Sequence, residues 1–185
     1  MTRPLKLITD PTPELASARE FTHAMSALAA GVVIVTCSVD GRPWGMTVTA
    51  FASVSTDPPT VLVSLGSESI GARAIGETGR FGVSILAENQ LPVAHHGSAP
   101  GAPKFLERFV APRDAASASP AVAGALAHLD CEVSEAIRVA DHTVFVARVR
   151  AALAAQSGSP LLYHRRAYRT LADPPTERST RCLAN

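Results

Sequence analysis

Short segments rich in β-branched residues, each bounded by a turn signal, recur along most of this chain. The run Val32-Val-Ile-Val-Thr36 predicts a strand, and the Asp40-Gly41 pair after it is a strong signal for a two-residue hairpin turn. The other predicted strands lie at 44–55, 61–65, 81–86, 126–139, 143–153, 161–163 and 167–171. Because hairpins join most of them and a sheet must protect its edges, we expect a mainly β fold whose antiparallel sheet closes into a barrel.

Only a few short helices are predicted to flank these strands. Ser17-Ala-Arg-Glu20 is a capping-box sequence and predicts a helix that ends near Gly31. A second helix, capped by Ser67, is predicted over 67–76, and a third over 88–96. The sequence has no βαβ alternation and no Gly-x-Gly-x-x-Gly after a strand, which argues against a Rossmann nucleotide site.

The length of 185 residues suits one domain, and a hydrophobic content of 46% is enough to build its core. Residues 1–13 contain three prolines and are predicted to form an N-terminal arm. Residues 14–172 are predicted to form the domain itself. Residues 173–185 are predicted to be a polar C-terminal tail.

Charge and cysteine content exclude several classes of protein. Lys and Arg number 17 against 16 Asp and Glu, so a surface built for nucleic acid or anionic lipid is not expected. The segment 21–39 lacks charged residues, but its polar residues and its change of period argue against a membrane span. Three widely spaced cysteines without Cys-x-x-Cys spacing support neither a disulfide scaffold nor a metal site, so we expect a cytoplasmic protein.

Two neighbouring segments could bind a ligand. In Gly45–Ser55, hydroxyl side chains alternate with apolar ones, which suits either the wall of a polar crevice or an ordinary half-solvated strand. Ser64-Leu-Gly-Ser-Glu-Ser69 leads from a strand into a helix N-terminus, where free N–H groups suit a phosphate. Glu68 opposes an anion there, and simple capping by Ser67 is the alternative explanation.

The remaining reactive side chains have ordinary explanations. His95 and His96 are sequence neighbours that point in different directions, so we expect two partly exposed histidines near a loop and no shared metal. Cys131 lies in a predicted strand and is expected to be a structural thiol.

The ordered set of motifs over residues 20–171 resembles the small flavin reductase family, the reductase components of two-component flavin-dependent monooxygenases. The matching motifs are Gly31-Val-Val-Ile-Val-Thr36, Asp40-Gly41, Gly45-Met-Thr47, Phe51-Ala-Ser-Val-Ser55, Asp57-Pro-Pro59, Val61-Leu-Val63, Arg80-Phe81, Val83, Lys104-Phe105, Asp130-Cys131, Asp141-His-Thr143, Pro160-Leu-Leu-Tyr163 and Tyr168. The resemblance implies a Greek-key-like split β-barrel that forms a homodimer, with flavin bound near the subunit interface.

The resemblance also implies the cofactors and the residues that bind them. FMN or FAD would bind with NADH or NADPH as hydride donor. The implied cofactor-binding residues are Gly45, Met46, Thr47, Thr49, Ala50, Ser64, Leu65, Gly66, Ser67, Ser69, Lys104, Phe105 and Tyr168. His142 is the implied catalytic residue, beside the nicotinamide, and a turn histidine bonded to backbone is the alternative.

Some positions depart from the family pattern. Many relatives carry an Asn/Gln-Ser pair in place of Thr49-Ala50, and a basic residue in place of Ser67. These departures leave the choice between FMN and FAD open. The expected function is an NAD(P)H:flavin oxidoreductase that supplies reduced flavin to a separate monooxygenase. A non-catalytic flavin-binding or redox-sensing barrel and a purely structural protein are the alternatives.

Overall fold

The structure is a computed structural model that describes residues 15–112 and 118–172. The predicted arm and tail therefore lie outside the described residues, as does Cys182. The described elements, in chain order, are α1 (Ala18–Met25), β1 (Ala30–Gly31), β2 (Val33–Val39), β3 (Arg42–Val48), β4 (Phe51–Thr56), β5 (Pro59–Gly66), α2 (Ile70–Thr78), β6 (Arg80–Ile85), α3 (Leu91–Ser98), β7 (Ala127–Val139), β8 (His142–Ala154), β9 (Leu162–His164) and β10 (Ala167–Arg169).

Seven of these strands form one antiparallel sheet in the order β3-β2-β6-β7-β8-β5-β4, and β1-β9-β10 form a smaller sheet. Strands β3 and β4 are the two edges of the large sheet, yet only Thr49 and Ala50 separate them in the chain. Two intervening residues place Val48 and Phe51 within about 11 Å of each other, so the sheet must curl until its edges meet. This confirms the predicted antiparallel barrel with few helices.

The predicted single strand over 44–55 is wrong, because it ends at Val48 and restarts at Phe51. The alternation of polar and apolar side chains continues through Thr49-Ala50, so the sequence pattern does not indicate where β3 ends and β4 begins. After the break, the Ser64 N–H donates to the Ala50 carbonyl at 3.0 Å and joins β4 to β5.

Strand β2 separates two apolar layers, which explains its unbroken run of β-branched residues. Val33 and Val35 face the barrel interior, among the side chains of Phe81 and Phe145. Alternate residues of the same run point the other way. They pack in a second cluster that contains Val32, Ile34, Leu86, Val93, Ala94, Leu106, Val122 and Leu161.

The three helices begin or end differently from their predictions. The capping box of Ser17 and Glu20 is confirmed, but α1 ends at Met25 and Gly31 belongs to β1. Helix α2 begins after Ser69, whose hydroxyl accepts from the Ala72 N–H at 3.1 Å, so the predicted cap at Ser67 is wrong. The third predicted helix is confirmed over Leu91–Ser98.

A buried polar network ties the segment around residue 119 to the sheet. Ser84 Oγ lies 3.1 Å from His128 Nδ1, and Ser119 Oγ lies 3.2 Å from His128 Nε2. The Ser119 hydroxyl donates to Asp130. Because the only hydroxyl hydrogen of Ser119 goes to Asp130, Ser119 Oγ accepts from His128 Nε2–H, and Nδ1 accepts from the Ser84 hydroxyl. The Ser84 oxygen also accepts the Val122 N–H at 3.0 Å.

No helix in the described parts of the chain has both the length and the apolar character that crossing a bilayer requires.

Candidate functional site

An open groove runs beside the junction of the barrel edges, and we call it the Arg166 groove. It has two arms, of about 670 and 510 Å³, which share Thr49, Tyr163 and Arg166. The first arm is also lined by Thr47, Leu91, His95, Ser98, Ala167 and Tyr168. The second is also lined by Phe21, Thr22, Met25, Ser26, Leu28, Ala30 and Ala50.

Helix α3 forms one wall of the first arm because it packs closely on β3. The Thr47 hydroxyl donates to the Ala94 carbonyl at 2.7 Å. A Cβ on Gly97 would lie 2.9 Å from the Thr47 backbone nitrogen, so only glycine allows this approach. The packing leaves His95 exposed at the rim of the groove.

Aromatic rings line the same arm. The ring of Tyr168 lies edge-on to His95, with centroids 5.0 Å apart, and 5.3 Å from the ring of Tyr163. These three side chains come from α3, β9 and β10, so the small sheet and the helix build the wall together. The short side chains of Thr47 and Thr49, on either side of the end of β3, line the same arm. The arm therefore suits a flat ring held between aromatic and small groups.

Helix α1 borders the second arm with an apolar face that no core covers. None of its residues is buried, and Phe21 and Met25 are 60% and 47% exposed although both line the groove. The Arg165 N–H donates to the Ser26 carbonyl at 2.8 Å and fixes the helix end to the β9–β10 turn.

The charge of the groove is one-sided. None of the described residues that line either arm is a carboxylate, and Arg166 is the one arginine or lysine among them. Among the described residues, the guanidinium of Arg166 has no hydrogen-bond acceptor and no ion-pair partner. The groove therefore favours an anionic ligand.

A second hollow of about 630 Å³ lies at the other end of β3, and we call it the Lys104 cleft. Four predicted cofactor-binding residues line it: Met46, Ser69, Lys104 and Phe105. Asp40 and Glu68 line it as well, so two carboxylates oppose the one lysine.

Trp44 gives the Lys104 cleft an unusual donor. The Trp44 ring packs edge-on against the Phe105 ring, with centroids 5.0 Å apart. The guanidinium of Arg42 lies over the Phe105 ring, with Cζ 3.6 Å from its centroid. The Trp44 Nε1–H is buried and finds no acceptor among the described residues. A ligand oxygen or nitrogen in the cleft could satisfy it.

The third group of predicted residues lies at the end of β5. Ser67 Oγ is 2.9 Å from Thr143 Oγ1, and the Ser67 N–H donates to the Asp141 carbonyl. His142 pairs with Gly66 in the ladder and borders neither hollow. Its Nδ1 lies 2.8 Å from Asp141 Oδ1, and this hydrogen bond lowers the pKa of the Asp141 carboxyl.

Three predicted residues contact the core or the backbone rather than a hollow. Leu65 is buried inside the barrel, and Ser64 lies beside Ala50 in the ladder. Gly45 is buried where a Cβ would meet Leu106, and its N–H donates to the Lys104 carbonyl at 3.0 Å. The structure thus divides the thirteen predicted cofactor-binding residues between several places and does not gather them in one cavity of the described chain.

The other reactive side chains behave largely as expected. Burial raises the pKa of the Cys131 thiol to about 12, as expected of a structural thiol, and does the same for Cys37. His96 bonds through Nε2 to the Phe105 carbonyl at 2.8 Å.

No binding role was predicted from the sequence for Arg166, His95 or Tyr163. The Arg165-Arg166 pair stands between two short predicted strands, and such a position is usually filled by Asn-Gly. That unusual choice of turn residues was the available signal.

Comparison with known proteins gives consistent results. The sequence pattern described as flavin reductase like domain matches residues 25–172. An NADH-dependent flavin reductase of Rhodococcus sp is 40% identical over 151 residues, covering 80% of this chain and 83% of the relative. The reductase component of a Rhodococcus opacus 4-nitrophenol 4-monooxygenase/4-nitrocatechol 2-monooxygenase is 39% identical over 146 residues, covering 79% and 77%.

A solved structure is similar over nearly the same length. The NADH:FAD oxidoreductase SgcE6 of Streptomyces globisporus C-1027, in complex with NAD and FAD fragments, superposes with a TM-score of 0.78 at 28% identity. The match covers 86% of this chain and 98% of that one.

Proposed function

The chain belongs to the flavin reductase-like family, and on that premise we propose that it is an NAD(P)H:flavin oxidoreductase. It reduces FMN or FAD with NADH or NADPH and supplies the reduced flavin to a separate monooxygenase. Relatives named as reductase components of monooxygenases support the last part of this proposal.

The observation that carries the proposal is the chemistry of the Arg166 groove. Short side chains at Thr49 and Ala50 leave room for a flat ring, and Tyr168 and His95 supply an aromatic wall. The described lining contains a guanidinium and no carboxylate, as an anionic flavin nucleotide requires. The residues present therefore fit the group that the family implies.

When bound, flavin and nicotinamide supply the hydride chemistry themselves. The protein's contribution is to bind and orient them and to exclude water. The small side chains at the barrel junction allow a ring to lie against the backbone, and the apolar face of α1 shields it. No acid–base pair is needed.

His142 remains a predicted catalytic residue that would orient the nicotinamide carboxamide. It is half exposed, lies outside both hollows, and is held by Asp141 through Nδ1. Its Nε2 is therefore the atom available to a ligand.

The homodimer is also part of the proposal. Several apolar strand residues remain exposed: Val54, Ile137, Val139 and Leu153. Burial of such a surface by a second copy of the chain is favourable, and light scattering after gel filtration tests it. A monomer at micromolar concentration would overturn this part. We place the protein in the cytoplasm, where the thiols of Cys37 and Cys131 stay reduced.

The decisive experiment measures oxidation of NADH and NADPH with FMN, FAD or riboflavin under anaerobic conditions. We expect the absorbance of oxidised flavin and of the nicotinamide to fall together, in a one-to-one ratio. Tight flavin binding without turnover would replace the proposal with a flavin-binding or redox-sensing role. Neither binding nor turnover would leave only a structural role.

A further inference from the structure

The turn between β9 and β10 has a backbone that its residues do not favour. Arg165 and Arg166 have φ angles of 48° and 61°, in the left-handed region where glycine and asparagine are the usual residues. The turn at Asp40-Gly41 shows the usual solution, with φ angles of 51° and 75° and a glycine at the second position. Two consecutive arginines in this conformation are unusual.

The surroundings keep the unfavourable turn in place. The pairs Ala167–His164 and Tyr168–Tyr163 form the hairpin ladder, and the Arg165 N–H is held by the Ser26 carbonyl. Strain that persists in a folded chain points to a function for the residue that bears it.

The two arginines differ in what they border. Arg166 lines both arms of the Arg166 groove, whereas Arg165 lines neither. Around Arg166 the described lining contains no carboxylate and no second lysine or arginine. An arginine presents a planar fork of donors that matches a phosphate, and its strength is greatest where no carboxylate competes.

We propose that Arg166 binds a nucleotide phosphate at the point where the two arms of the groove meet. The inference rests on the proposed function, because FMN, FAD and NADH all carry phosphates and would bring this group to the groove. It adds a binding residue that none of the sequence motifs contains.

Arg166→Gly is the informative variant, with Arg165→Gly as its matched control. Each replacement removes one positive charge and relieves one unfavourable φ angle, so both should fold with similar melting temperatures. Only the first removes the guanidinium from the groove. Arg166→Lys keeps a positive charge but loses the fork.

Direct titrations of FMN, riboflavin, NADH and a reduced nicotinamide riboside test the proposal without relying on turnover. If the flavin phosphate binds here, Arg166→Gly raises the dissociation constant of FMN by about tenfold and leaves that of riboflavin unchanged. If the nicotinamide nucleotide supplies the phosphate, Arg166→Gly raises the dissociation constant of NADH by a similar factor and leaves that of the riboside unchanged. Arg166→Lys should fall between the wild type and Arg166→Gly.

Other outcomes overturn the proposal. Equal affinities in Arg166→Gly and Arg165→Gly would show that neither phosphate reaches Arg166. If Arg166→Gly lowers the affinities for FMN and riboflavin equally, or those for NADH and the riboside equally, then Arg166 supports the groove without binding phosphate. If the wild-type protein binds these ligands but does not consume NADH, the proposed function fails while the titrations still decide the role of Arg166.

Discussion

The Arg166 groove and the Lys104 cleft are hollows of similar size, about 670 Å³ for the larger arm of the first and 630 Å³ for the second. Both are lined by residues that the sequence predicted to bind a cofactor. They differ in charge: the described lining of the groove has a guanidinium and no carboxylate, whereas the cleft sets Asp40 and Glu68 against Lys104.

Residue type alone therefore does not identify an anion site. The hydroxyls of Ser67 and Ser69 predict a phosphate site, but the folded chain places Ser69 in a hollow that Asp40 and Glu68 also line. Of these two carboxylates, only Glu68 has an arginine partner among the described residues, Arg138 at 3.3 Å. The buried Trp44 N–H makes the cleft better suited to a neutral hydrogen-bond acceptor. The groove is the better site for a charged ligand.

The largest expected effect comes from filling the groove. Ala50→Trp would place an indole in the second arm, and we expect flavin affinity to fall by about a hundredfold, equivalent to about 3 kcal/mol. Fluorescence titration with FMN measures the loss.

Ala52→Trp is the control, because Ala52 is exposed on β4 two residues further on and does not border the groove. It should keep the affinity of the wild type. Undiminished flavin binding by Ala50→Trp would show that flavin does not occupy the second arm of the Arg166 groove.

The sequence predicts well whatever depends on neighbouring residues. The capping box at Ser17 and the Asp40-Gly41 turn are local signals, and both are present in the structure. The hairpin of β7 and β8 was predicted over 126–139 and 143–153, and its strands span Ala127–Val139 and His142–Ala154. Each end therefore lies within one residue of its prediction.

Features that depend on distant parts of the chain could not be predicted in this way. The break at Thr49-Ala50 exists because two sheet edges meet there, and no property of those residues marks it. The groove joins α1, α3 and the β9–β10 turn, so its freedom from carboxylates is visible only after folding. The strand pattern predicted the barrel and the family resemblance added the cofactors, but neither could identify Arg166, which none of the family motifs contains.

A change of intermediate size, in the free energy of unfolding, is expected from the buried network of Ser84, Ser119, His128 and Asp130. His128 borders neither hollow. Burial lowers the pKa of His128 more than Asp130 raises it, so the unfolded chain binds this proton more readily than the folded one. The free energy of unfolding should therefore fall as the pH drops below about 6.5, the ordinary histidine value. Urea unfolding at several pH values measures this.

His128→Leu should remove that pH step and cost about 1–3 kcal/mol, because Ser84 and Ser119 lose their shared partner. His23→Gln, on the exposed helix α1, controls for the loss of a histidine. At neutral pH the affinities for FMN and riboflavin should keep their ratio in His128→Leu. A changed ratio would mean that the groove and this network are coupled.

The smallest expected effect on binding concerns Ser69, and it distinguishes the two hollows most directly. Ser69 caps α2 through the Ala72 N–H, so Ser69→Ala should lower the free energy of unfolding by about 1 kcal/mol. Ser69→Asp retains a capping oxygen and should restore that stability, while it adds a negative charge to the Lys104 cleft. If the phosphate lies in the Arg166 groove, FMN affinity should change by less than about twofold in either variant, since the added charge is remote and screened. A tenfold loss in Ser69→Asp, with stability retained, would place the phosphate in the Lys104 cleft, because only a nearby anion is repelled that strongly.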